Sequence, residues 1–193
     1  MLLRTVFRIV TIVSFIAISA CFISCSEEDD EEFVCPDVTL SCDICNSGSM
    51  SLTIDNDFFP LTVGNVLVLE GDDEGTTVRV VITVLDETET VDGVTTRVVM
   101  EEEYENGEII EISRNFFAQA SDGTVCYFGE DVDIYENGEI VSHDGAWRAG
   151  ENGNQAGIMM PGAQAVGQAF YQEQATGIAE DMSEVKAFGE SIS

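Results

Sequence analysis

Six cysteines, one histidine and 37 acidic side chains are the residues of this 193-residue chain whose chemistry could define a function. Cys35, Cys42 and Cys45 follow the spacing C-x6-C-x2-C. Within it, Cys42-Asp43-Ile44-Cys45 sets two thiols two residues apart, as half of a zinc knuckle or a redox dithiol does. A zinc site would need further ligands, but no second close pair follows and the single histidine is His143. A redox dithiol would need a βαβ setting, which the surrounding pattern lacks. Disulfides among Cys35, Cys42, Cys45 and Cys126 are the expected use if the chain is exported.

Nucleophilic catalysis finds little material. His143 would have to serve any Ser-His or Cys-His scheme, yet it stands beside Asp144-Gly145 in a turn-like stretch, where a solvated loop histidine is expected. No catalytic residue is assigned. Carboxylate pairs carry no information in so acidic a chain. Calcium is the one metal that the composition invites, because Gly71-Asp72-Asp73-Glu74-Gly75 and Glu130-Asp131-Val132-Asp133 could offer hard oxygens. Neither has the spacing of an EF-hand loop, so weak calcium binding is the most that follows and no metal ligand is assigned. Glycine-rich phosphate cradles and dinucleotide fingerprints are absent, and no cofactor is expected. Tyr127, Phe128, Trp147, Phe170 and Tyr171 could line a ligand cleft on a curved sheet, or simply fill the core.

Seven Lys and Arg against the 37 acids give a formal charge of −30. Nucleic acid is excluded as a partner by that field, and an anionic bilayer would be held off unless a covalent or inserted anchor intervened. The N-terminus supplies one. Arg4 and Arg8 precede the apolar run Ile9 to Ala20, which ends in small residues before Cys21, the layout of an export signal. Ile18-Ser19-Ala20-Cys21 resembles the lipobox of bacterial lipoproteins, in which the cysteine after the cleaved bond is lipidated. Phe22-Ile23-Ser24-Cys25 is a poorer match, although lipidation of Cys25 would leave an even number of cysteines to pair. Residues 1–20 are thus expected to be a signal peptide. Residues 21–56 would be the lipid-bearing cysteine, the acidic tether Ser26 to Glu32 and a cysteine-bearing linker. The expected location is the cell envelope, anchored to a membrane, with the outer membrane or cell surface favoured; a secreted soluble protein is the alternative.

From Phe58 onward apolar and polar residues alternate with period two, as in Val78, Val80, Ile82 and Val84, the pattern of half-buried strands. Asp92-Gly93, Asn106-Gly107, Asp122-Gly123 and Asn137-Gly138 separate such runs and tolerate the positive φ angles of tight hairpins. The hexapeptide Tyr104-Glu105-Asn106-Gly107-Glu108-Ile109 recurs as Tyr135 to Ile140, which predicts two hairpins with the same turn rather than a solenoid repeat. No helical periodicity is evident before Gln164; Val166 to Glu173 suits a strand, and Ile178 to Phe188 a short helix or a strand. The fold class is therefore all-β and mainly antiparallel. A meander of hairpins over residues 57–193 would form a curved sheet, partial barrel or sandwich, covered by the glycine-rich stretch from Gly145 to Gly167.

Phe59-Pro60-Leu61-x-Val63-Gly64-Asn65, Asp122-Gly123-x-Val125-x-Tyr127-Phe128-Gly129-Glu130, Trp147-x-Ala149-Gly150 and Gly157-Ile158-Met159-Met160-Pro161 together resemble a group of uncharacterised exported bacterial β-rich proteins. The likeness spans about Asp57 to Val185 and implies no catalytic residue, because the group has no established activity. Its members carry Trp and Tyr where this chain has Leu67 and Leu69, and they run on into further strands, which implies a domain truncated at Ser193. The expectation is a non-catalytic envelope lipoprotein that binds an unidentified protein or small molecule, or forms part of the surface. The alternatives are a hydrolase without a recognisable motif and a calcium-stabilised adhesion module.

Overall fold

The computed structural model describes residues 37–189. The signal segment, Cys21, Cys25, the acidic tether and Cys35 lie outside the described residues. The fold is mostly antiparallel β with almost no helix, and its main sheet is open rather than a closed barrel. A short helix α1 (Asp43–Ser47) and strand β1 (Met50–Ser51) come first. Five long strands and a short one then form a meander in chain order: β2 (Val66–Asp73), β3 (Thr76–Val91), β4 (Val94–Glu105), β5 (Glu108–Ala120), β6 (Val125–Glu136) and β7 (Glu139–Ser142). β8 (Trp147–Arg148) and β9 (Gly157–Met160) pair with the same strand, β6, while β10 (Ala169–Tyr171) and β11 (Met182–Glu184) make a separate hairpin.

The turns follow from residues that tolerate left-handed backbone. Asp92-Gly93, Asn106-Gly107 and Asn137-Gly138 all have positive φ at both positions, the geometry whose twist matches that of the flanking strands. Both copies of the repeated hexapeptide are such hairpins. Glu74-Gly75 turns β2 into β3 in the same way, so the acidic stretch around it is hairpin rather than ion loop. The Cys42–Cys45 segment departs from the sequence reading by being helical. Its single turn is short, and the Cys45–Cys126 disulfide fastens it to β6 across 81 residues of sequence.

Three irregularities set which side chains share a face. Between Val84 and Thr88, β3 carries two residues more than β4, and Arg97 occupies the opening, its guanidinium 3.3 and 3.2 Å from the Leu85 and Glu87 carbonyls. On β5 one surplus residue, Ile110, shifts the pairing so that Glu103 faces Glu111 and Glu101 faces Ser113. On β6, Asn115 pairs with Glu130 and Phe117 with Tyr127. Two steps of β5 thus oppose three of β6, and Tyr127 and Glu130 emerge on one face, which a regular pleat forbids. Gly129 permits this bulge: its φ is 114°, and a Cβ there would lie 2.2 Å from the Trp147 carbonyl oxygen.

The core straddles one end of the sheet. Val98, Phe116, Ala118, Cys126 and Phe128 are buried there with Cys45. By strand alternation Phe117 and Tyr127 point to the opposite face, where their rings stack at 4.8 Å; Phe59 packs edge-on at 5.6 Å and Trp147 at 5.4 Å.

Replacing Cys45 and Cys126 together by alanine reopens an 81-residue separation and should lower the unfolding free energy by roughly 4 to 5 kcal/mol, read as a shift of the urea midpoint that added reductant reproduces in the unaltered protein. Gly129→Ala should cost roughly 3 kcal/mol or more, because backbone rather than a flexible side chain blocks the added methyl group.

Candidate functional site: a buried acidic strip

The face that carries Phe117 and Tyr127 changes character toward the Asn106-Gly107 hairpin. Glu101 and Glu103 on β4 are 9% and 5% exposed, and the register sets them opposite Ile82 and Val80 on one side and Ser113 and Glu111 on the other. Val132 and Ile134 of β6 stand opposite Ser113 and Glu111. The result is a strip of acid between two rows of branched aliphatic side chains. From β6 the bulge adds Glu130, whose backbone pairs with Trp147. Glu173 and Asp181, from the segment around the β10–β11 hairpin, act electrostatically on Glu130. Glu111, Glu130, Glu173 and Asp181 are only partly buried, so the strip reaches solvent on one side.

Burial without compensation governs the protonation of these groups. No ion pair among the described residues includes them, and the charges that act most strongly on them are negative. Desolvation, reinforced by Glu111, pushes Glu130 up to about 8. Desolvation and the charge of Glu130 push Glu173 up to about 9. Burial also raises Glu111, and it raises the adjoining pair Glu101 and Glu103, whose side chains lie within hydrogen-bond reach of each other, Glu103 to about 7. An isolated buried carboxylate is costly, so taking up a proton is the cheaper outcome.

Polar partners order the strip where it meets the aromatic rings. Tyr127 Oη donates to Asn115 Oδ1 at 2.6 Å, and Asn115 Nδ2 donates to Ser113 Oγ at 2.9 Å. The Glu130 carboxyl lies beside the same hydroxyl, and this contact favours its charged form, partly opposing the rise that burial imposes. Trp147 Nε1 is buried without a hydrogen-bond partner, yet it lies close enough to the Glu173 carboxyl to favour that group's charged form. The strip therefore offers several neutral acids that can ionise together. It offers no split between a raised and a lowered carboxyl of the kind that acid–base catalysis uses.

The remaining residues singled out in the sequence fall elsewhere. Phe128 and Phe170 lie in the core, with Tyr171 packed at its edge. Cys42 is a buried free thiol that donates to the Tyr171 carbonyl, and burial raises its pKa. Glu130-Asp131-Val132-Asp133 is divided: Asp131 binds Arg148 at 2.6 Å, while Asp133 lies 2.9 Å from Nδ1 of the exposed His143. Among the described residues no group of three or more His, Cys, Asp or Glu is arranged to hold a metal ion, and no helix is long and apolar enough to cross a membrane. A hollow of about 520 Å³ beside β1 is lined by Gly48, Met50, Leu52, Gly93, Val94 and Thr95, with no ionisable side chain. Comparison with protein families, curated proteins and solved structures finds no match to the chain.

The acids of the strip hold protons in the fold at pH values where the unfolded chain, with ordinary glutamates near 4.3, has released them. The folded state thus binds more protons across the window from about 4.5 to 9, and stability falls as pH rises through it, by about 1.4 kcal/mol per pH unit for each proton of difference. Urea midpoints should be higher at pH 5 than at pH 9. Glu130→Gln, which preserves a neutral side chain of similar shape, should flatten that dependence by up to one proton between pH 5 and 8; an unchanged slope would refute the assignment.

Proposed function

We propose that the protein is a non-catalytic binding module of the cell envelope, exported by the leader of residues 1–20 and anchored to a membrane by a lipid on Cys21, with Cys25 as the alternative acceptor. The buried acidic strip is the observation that carries the binding reading. Uncompensated carboxyl groups on the covered face of a sheet lower stability, and a fold that only had to stand would place valine or isoleucine there, as it does in the flanking rows. A partner that neutralises the strip gives those acids a use.

Export rests on separate support. A leader that ends at a thiol, an acid block directly after it, and a disulfide between Cys45 and Cys126 agree with an oxidising compartment outside the cytoplasm. The resemblance to exported bacterial β-rich proteins agrees with the same destination. Intact mass spectrometry of the protein extracted from its host's membranes tests the proposal. The expected mass is that of a chain starting at Cys21 with acyl chains and at least one disulfide. Recovery from the cytosol with Met1 present and all thiols reduced would refute it.

A further inference from the structure

We propose that the open edge of β2 accepts an extended segment of a partner protein as an added antiparallel strand, one whose alternate side chains run from two basic residues to two aliphatic ones. The contact lies outside the acidic strip and does not depend on it.

β2 ends the main sheet, and β3 is its one strand partner among the described residues. The two-residue turn Glu74-Gly75 makes Asp73 and Thr76 a hydrogen-bonded pair, as such hairpins do. Alternation then directs the N–H and C=O groups of Val66, Val68, Glu70 and Asp72 away from β3. No backbone hydrogen bond among the described residues takes them up. Sheet edges are commonly closed to further pairing by shortness, proline, lysine or a bulge. β2 has eight residues in unbroken register with β3, and none is proline or lysine. The opposite edge differs: β7 has four residues, and its register with β6 is interrupted between Ile134 and Tyr135. An antiparallel addition continues the pattern of every described ladder of the main sheet.

The side chains of the same four residues choose the partner. Val66 and Val68 are 58% and 48% exposed, and Glu70 and Asp72, also exposed, continue their row toward the turn. Glu70 has no ion pair among the described residues; Arg79, opposite it on β3, lies 5.5 Å from the centre of the Tyr104 ring. Asp72 accepts from the Gly75 amide at 3.0 Å through one of its two oxygens. A strand added antiparallel would place basic side chains across from Asp72 and Glu70 and aliphatic ones across from Val68 and Val66, pairs that stabilise a sheet. A second copy of the chain is a poor occupant. Full antiparallel overlap of two β2 edges would set Val66 against Asp72 of the other copy and Val68 against its Glu70. It would also bring together two chains that each carry a formal charge of −30. The acids therefore work against self-pairing while they attract a cationic strand.

Nuclear magnetic resonance of the purified mature protein, titrated with the end-capped peptide Lys-Thr-Lys-Thr-Val-Thr-Val, tests this in 0.15 M salt, where exposed charges farther apart than about 8 Å are screened. One saturable site is expected. At saturation, amide hydrogen exchange should slow at least fivefold at Val66, Val68 and Glu70 and stay unchanged at Leu67 and Leu69, whose amides β3 already holds. The acidic peptide Glu-Thr-Glu-Thr-Val-Thr-Val and the reversed peptide Val-Thr-Val-Thr-Lys-Thr-Lys should each bind at least tenfold more weakly. Glu70→Lys/Asp72→Lys should invert the preference in favour of the acidic peptide. Asp144→Lys/Glu151→Lys, the same charge change on another exposed surface, should leave affinity within twofold. Val68→Pro removes one outward donor at a position where an edge strand tolerates proline and should weaken binding at least fivefold; if that variant fails to fold, the charge inversion decides. The proposal is overturned if the lysine peptide does not saturate while circular dichroism shows the protein folded, or if the acidic or reversed peptide binds as tightly. It is equally overturned if the remote charge variant weakens binding as much as the edge variant, or if the newly protected amides lie outside β2.

Discussion

The pairing of β4 with β5 governs the whole covered face. A two-residue Asn106-Gly107 turn with regular pairing would continue from Tyr104–Ile109 to Glu103–Ile110 and set Ile112 opposite Glu101. The surplus Ile110 displaces that pattern, and Glu111, Ser113, Asn115 and Phe117 take the inward face instead. One residue thus decides whether the strip is a lone pair of glutamates among isoleucines or a continuous acidic and polar surface. Side-chain alternation then carries the choice along all of β5, because period two admits no partial correction.

A second bulge makes the first one consequential. At Gly129 the β6 strand takes an additional step, so Glu130 joins the face that Tyr127 already occupies and finds Asn115 across from it. Aromatic packing and acid burial are therefore contiguous: Phe117, Tyr127 and Trp147 form the dry end of a face whose other end is ionisable. The low polarity that stabilises the rings is the same environment that keeps the carboxyl groups protonated.

Much of the architecture was legible from local chemistry. The Asn-Gly and Asp-Gly turns, the period-two runs and the strand around Phe170 follow from backbone tolerance and side-chain alternation, both of which act within a few residues. The helical turn at Asp43 was not legible, since five residues are too few to show a helical period. Nor was the acidic strip. Glu101, Glu103 and Glu111 sit in a sequence where acids are everywhere, and what distinguishes them is registry with Val80, Ile82, Val132 and Ile134. That registry depends on bulges, which insert a residue without changing composition or local propensity. Gly129, which stands between the apolar run Val125 to Phe128 and the acids Glu130 and Asp131, is the one local signal, since glycine within a strand often marks a bulge. Tyr127 and Trp147 stand out in the sequence for their rings, but their polar atoms, rather than their aromatic faces, connect them to the strip.

The disulfide has a mechanical implication. Cys45 is fastened to Cys126 in β6, a strand that pairs with β5, β7, β8 and β9. Tension applied to the chain from its N-terminal side therefore enters the sheet through a covalent link to its most connected strand and bypasses the 80 residues between the two sulfurs. The early strands of the meander carry none of that load while the link is oxidised. Reduction would reroute the pull into β1 and β2, whose short or edge-lying ladders can be unzipped one hydrogen bond at a time.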